Sequence, residues 1–165
     1  MTLLVPDHSL NVPREDLANF LINFARFEYA VKASGHSKNT NGYAVPDWNS
    51  YCKSIKTDFT ANPTAELKLH VKYITRKPPK QLVKQPSGTL KWVTRPPKAT
   101  WKSLRIMLFF AQGVRNNVTH GSKFTSRESS EVNRNKKLMT AATAIISAFL
   151  DHSVRTREVF NGFAP

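Results

Sequence analysis

Arg115-Asn116-Asn117-Val118-Thr119-His120-Gly121 brings together an arginine, a polar amide and a histidine, the side chains that metal-free cleavage of RNA calls for. RNA carries its own nucleophile, the 2′-hydroxyl beside each phosphate. Cleavage needs a base for that hydroxyl's proton, an acid for the departing 5′-oxygen, and positive charge against the crowded phosphorane. Histidine titrates near neutrality and serves either proton role. Arginine stays charged and grips two phosphate oxygens at once. Asn116 suits orienting either side chain or binding the scissile phosphate.

The spacing sets a geometric condition. Positions five apart on a helix diverge by about 140°, at about 100° per residue, so Arg115 and His120 share no face of an unbroken helix. Either the helix ends before His120 or a partner subunit closes the site. Gly121 suits an ending there as a left-handed cap, and a helix C-terminus favours a protonated histidine. His8 and His36 fall in loop-like sequence, and His70 and His152 have polar neighbours on helical stretches. No pair of histidines has metal-ligand spacing, and the 11 carboxylates are scattered. A metal site or cofactor is therefore not expected. The single cysteine, Cys52, rules out an intrachain disulfide and fits a reducing compartment. No signal peptide or apolar run of about 20 residues is visible, so a cytoplasmic chain with no membrane contact is expected.

The elements that would carry these residues follow from periodicity. A first helix is predicted from about Pro13 to Ala33, with Leu17, Phe20, Leu21, Phe24, Phe27 and Val31 on one face. After a Ser-, Asn- and Gly-rich loop over 35–45, a second helix runs from Pro46 to about Phe59, and a third from Pro63 to about Ile74. Pro78-Pro79, Pro86 and Pro96-Pro97 exclude a continuous helix over 77–97. That Pro-rich segment reads as a basic β-hairpin or long loop, with strands near Gln81–Lys84 and Thr89–Thr94. A fourth helix, Lys98 to Thr119, carries the motif at its end. Its middle, Leu104 to Ala111, is apolar on nearly every side, which calls for cover on both faces and suggests a homodimer through this helix. A fifth helix spans about Ser130 to Val159, with Leu138, Ala141, Ala142, Ile145, Phe149 and Val154 inward. The expectation is an all-α bundle of about five helices with one small basic insertion, a single domain over 1–165.

Charge points to the partner. The chain of 165 residues carries a net +14. No acidic residue lies between Glu66 and Glu128, while all the excess Lys and Arg fall between Lys68 and Arg127. Such a stretch repels itself unless a polyanion screens it, and nucleic acid is the leading class. Lys77, Lys80, Lys84, Lys91, Arg95 and Arg105 are the candidate backbone contacts. Glu28 stands out for the opposite reason: it lies near the centre of the first helix's apolar stripe, where a carboxylate is costly unless paired. Arg115 or Arg105 on the fourth helix can pair with it.

The motif at the end of a long apolar helix, followed by glycine and one further helix, resembles the HEPN signature of Arg, a polar residue, three further residues and His. The resemblance covers the helices, with 77–97 as an insertion. It implies an all-α HEPN-like fold and a metal-independent endoribonuclease with Arg115, Asn116 and His120 at the site. It also implies a homodimer in which two motifs form one composite centre, and a toxin or antiviral-defence role. The other function it allows is a non-catalytic RNA-binding or regulatory subunit with an antitoxin or defence-complex partner.

Overall fold

In a computed structural model, which describes residues 12–61, 63–119 and 129–162, the first apolar stripe folds as α1 (Arg14–Ala33). Phe20, Phe24, Phe27, Ala30 and Val31 are buried along it, and Leu17 and Leu21 pack against the same core. Glu15 and Asp16 in the first turn and Lys32 in the last suit the helix dipole. The aromatic centre forms around Phe27. Its ring stacks on Trp48 at 5.7 Å and meets Tyr51 and Phe149 edge-on at 5.7 and 6.5 Å. The Tyr51 hydroxyl donates to the Phe149 carbonyl at 3.0 Å, so this buried aromatic leaves no polar atom stranded.

The described chain is mostly helical with two small antiparallel hairpins. Among the described residues seven helices stand where five were expected, and the two extra ends have local causes. The segment expected as one helix to Phe59 is α2 (Trp48–Ser54) and α3 (Lys56–Ala61), interrupted at Ile55. The Ser54 hydroxyl donates to the Tyr51 carbonyl at 2.8 Å, competing with the backbone for that acceptor. After α4 (Ala65–Arg76) and α5 (Ser103–Thr119), the expected last helix divides into α6 (Ser129–Asp151) and α7 (Val154–Phe160). Ser153 between them is extended, at φ −142° and ψ 91°. The turn redirects α7 onto α1, where Arg26 donates to the Phe160 carbonyl. Buried Thr156 meets the Ser34 hydroxyl at 2.9 Å. Val154, expected inward, is 61% exposed because it begins the redirected helix.

The loop expected over 35–45 holds the first hairpin, β1 (Ser37–Thr40) and β2 (Tyr43–Pro46), with Thr40 opposite Tyr43. Asn41 and Gly42 both take positive φ, 51° and 84°, the requirement of a two-residue turn between twisted strands. The second hairpin, β3 (Lys80–Lys84) and β4 (Leu90–Thr94), stands within the proline-bracketed segment where it was expected.

α6 packs on α4 and α5 and places Leu138, Ala141, Ala142, Ile145 and Phe149 in the core. The apolar middle of α5 is covered in part from within the chain. Leu104, Leu108, Phe110 and Ala111 are buried, and Ile106, Met107 and Phe109 lie partly buried against the same core. Trp101 packs edge-on against Phe109 at 5.2 Å. Leu104 and Met107 also line an open apolar groove with Leu67 and Val71, so the chain's own cover of this stretch is partial. Among the described residues no helix is long and apolar enough to cross a membrane.

Candidate functional site

Arg115 lies one turn before the end of α5, on the side that faces α1. Its Nη2 donates to Glu28 Oε1 at 2.7 Å, and the guanidinium carbon lies 5.2 Å from the centre of the Phe24 ring. The two side chains are 29% and 26% exposed, so the pair sits partly buried at the edge of the core rather than in open water. Burial pushes the Glu28 carboxyl above its ordinary range, against the pull of Arg115 and Lys32. The Arg115 Nε is buried and finds no hydrogen-bond partner. Among the described residues only Glu28 accepts from this guanidinium. A charge so held has a fixed direction, and the planar guanidinium's remaining Nη–H groups can meet two oxygens of a phosphate.

Of the two arginines weighed for Glu28, Arg105 is the one the structure leaves apart. Its guanidinium lies over the Trp101 ring at 4.1 Å and donates to Gln112 Oε1 at 3.3 Å. Half-burial pulls its pKa below the usual arginine value, with Cys52 nearby. Ten residues of helix separate Arg105 from Arg115 by about 15 Å along the axis. Arg105 thus joins neither the Glu28 pair nor the open lysines of the hairpin. Asn116 is partly buried on the same turn as Arg115. His120 and Gly121 lie outside the described residues, as do Lys123 and Arg127 of the basic stretch.

The basic segment takes an open form. Lys77 ends α4, Lys80 and Lys84 lie on β3, Lys91 on β4, and Arg95 follows it; all are exposed. None of them is ion-paired to a carboxylate among the described residues. What fixes this hairpin to the bundle is its root. Asn117 Nδ2 donates to the Lys80 carbonyl at 2.7 Å, and Arg134 Nη2 donates to the Pro78 carbonyl at 2.8 Å. Pro79 is buried against Gly113, where an added Cβ would come within 2.9 Å of the proline ring. Asn117 and Arg115 are two residues apart and point about 160° apart on the helix. The last turns of α5 therefore hold the Glu28 pair on one side and the hairpin root on the other.

Asn117 escaped sequence reasoning, which favoured its neighbour Asn116. The usable signal was Gly113 inside an otherwise strong helix. A mid-helix glycine costs about 1 kcal/mol relative to alanine, so it often marks a close approach. Asn117, four residues on, shares its face. His36 is a half-buried polar group that sequence left in a loop. Its Nδ1 lies 3.0 Å from Ser50 Oγ and its Nε2 3.3 Å from Ser54 Oγ, joining the first hairpin to α2. Burial pushes the Cys52 thiol up to about 11, so it stays protonated and unreactive at neutral pH.

No protein-family model, no curated protein and no solved structure matches the chain.

Proposed function

We propose that this protein is a metal-independent endoribonuclease of the HEPN type. In this reading Arg115 holds the scissile phosphate and His120 transfers a proton. The observation that carries the reading is the Arg115 guanidinium near the end of α5, held by Glu28 and belonging to a stretch of sequence that is strongly basic and has no acidic residue. The 2′-oxygen attacks phosphorus and gives up its proton to a base. The bond to the 5′-oxygen breaks, and that oxygen takes a proton from an acid. The products are a 2′,3′-cyclic phosphate and a 5′-hydroxyl. One histidine per chain supplies one of these proton roles, so two copies of the motif give both, and the active form is a homodimer. A cytoplasmic toxin or antiviral-defence effector, restrained by an antitoxin or a defence complex, fits such an activity. Incubating the purified protein with total RNA in EDTA, beside His120→Ala, tests it. Cleavage by the wild type alone is expected; products bearing 5′-phosphate ends, or an absolute need for Mg²⁺, would overturn the mechanism.

A second reading has its own observation. Glu28 already neutralises Arg115, whereas the hairpin lysines are open, which favours a module that binds RNA without cutting it. Retained RNA binding with no cleavage in the same assay would select it.

A further inference from the structure

Residues directly opposed in an antiparallel pair share a face. In the second hairpin Lys80 opposes Thr94, Leu82 opposes Trp92 and Lys84 opposes Leu90. One face thus presents Leu82 and Trp92 between Lys80 and Lys84, with Leu90 across from Lys84. Leu82 is 40% and Leu90 66% exposed, and Trp92 is half-buried. The other face holds Gln81, Val83, Lys91 and Val93, of which only Lys91 is exposed. At about 3.3 Å per residue, Lys80 and Lys84 stand about 13 Å apart with Leu82 midway. The hairpin touches the bundle at its root, through Pro78, Pro79 and Lys80.

We propose that this face is a docking surface for single-stranded RNA, on which unpaired bases lie over Leu82, Trp92 and Leu90 while Lys80 and Lys84 take the backbone on either side. The inference rests on RNA being the partner and narrows it to unpaired strands. Lysines alone would serve a duplex equally well, since a duplex offers its phosphates to any basic surface. Its base faces are stacked away, so exposed leucines and an indole beside the lysines gain nothing from it. A single strand offers both, and sequence-tolerant stacking beside a cationic track is how such strands are held. The uninterrupted positive charge around the hairpin argues against an acyl or purely apolar occupant.

The test compares a labelled oligouridine with a duplex of the same length, by fluorescence anisotropy over a salt series. The wild type is expected to bind the single strand more tightly at every salt concentration. Leu82→Ser with Leu90→Ser should weaken the single strand about ten-fold, leave the duplex unchanged and keep the salt slope. Lys80→Gln with Lys84→Gln should instead reduce the slope by about 1.4. Both leucines are exposed, so the fold should survive, and circular dichroism with an unchanged thermal midpoint checks that it does. Leu90→Ser alone, at the most exposed position, guards against local unfolding and should show a smaller loss of the same kind.

Equal affinity for both RNAs overturns the inference while leaving RNA as the partner. So does a double-leucine variant that binds the single strand like wild type. A double-leucine variant that turns a dimer into a monomer with oligouridine affinity intact would assign the face to a second copy of the chain instead. If neither RNA binds, the endoribonuclease reading falls and this inference with it.

Discussion

Arg115 and Lys84 belong to the same acid-free stretch, yet their surroundings differ in each respect that sets what a charge can do. Arg115 is three-quarters covered, meets a carboxylate at 2.7 Å and lies over an aromatic ring. Lys84 stands on a strand near a hairpin turn, exposed and unpaired. A held guanidinium acts through direction, because its geometry is prepaid by the fold. A free ammonium acts through field and counterion release, which tolerate many geometries. The same formal charge is therefore suited to a directed contact at one place and to a field effect at the other.

The sharpest way to break this comparison is at the proposed centre. His120→Ala should lower single-turnover cleavage by about 10²–10⁴-fold, the usual worth of a proton-transfer group. Arg115→Ala should cost activity comparably, with products from the wild type ending in 2′,3′-cyclic phosphate. Either variant cleaving at the wild-type rate would sever the motif from the activity. At the hairpin, neutralising Lys77, Lys80, Lys84 and Lys91 together should flatten the slope of log affinity against log salt by at most about 3, with about 1.4 of it from Lys80 and Lys84 and the least from Lys91 on the other face. The rate of the chemical step on bound RNA should stay within a few-fold of wild type. A slope that does not move would make these lysines a solvated surface.

Smaller effects probe what links the two regions. Asn117→Ala removes the buried Asn117 amide that donates to the Lys80 carbonyl and should destabilise by about 1–2 kcal/mol in a denaturant titration. Amide exchange should quicken at the hairpin root first. The mildest expected change is Glu28→Gln. The carboxyl's folded pKa stands above its ordinary value, so in that interval the folded state binds more protons than the unfolded one. Stability from this group therefore rises as pH falls through the interval, and is least near neutrality. Glu28→Gln should flatten that trend and change neutral-pH stability by less than about 1 kcal/mol. Cleavage should still decline, because the guanidinium loses its charged guide. His36 works in the opposite sense. Burial lowers its pKa, so below about 6.5 the unfolded chain takes the proton first and this contribution to stability is lost. A His36→Asn background separates the two slopes.

What the sequence revealed and what it hid divide along a physical line. Repeating patterns were readable: the Phe20-Phe24-Phe27 stripe, the glutamate interrupting it, and the hairpin bracketed by Pro78-Pro79 and Pro96-Pro97. Glu28 and Arg115 are 87 positions apart, but each could be singled out, one by its cost in an apolar stripe and the other by its motif. Single-residue events were harder to read. The Asn41-Gly42 turn carries a strong hairpin signal, but its flanking strands are mostly exposed and lack the alternation that would have drawn attention to it. The breaks at Ile55 and Ser153 depend on one hydroxyl and one extended residue, which periodicity averages away. The all-round apolar middle of α5 was read as asking for a second subunit. Trp101 and Arg105 supply part of that cover, and neither belongs to the helical stripes on which the reading rested.

The contact between Gly113 and Pro79 bears on how freely the insertion can be exchanged. A hairpin joined to a bundle only by its two chain ends could be swapped for another of any shape. This one is keyed: its proline fills the notch left by a missing side chain on the helix that carries the motif. Gly113→Ala alone should loosen the hairpin, and Pro79→Gly should restore room for that methyl group. Positions 79 and 113 thus behave as one steric unit. A graft of residues 77–97 onto another helical scaffold would dock only where the receiving helix offers the same gap.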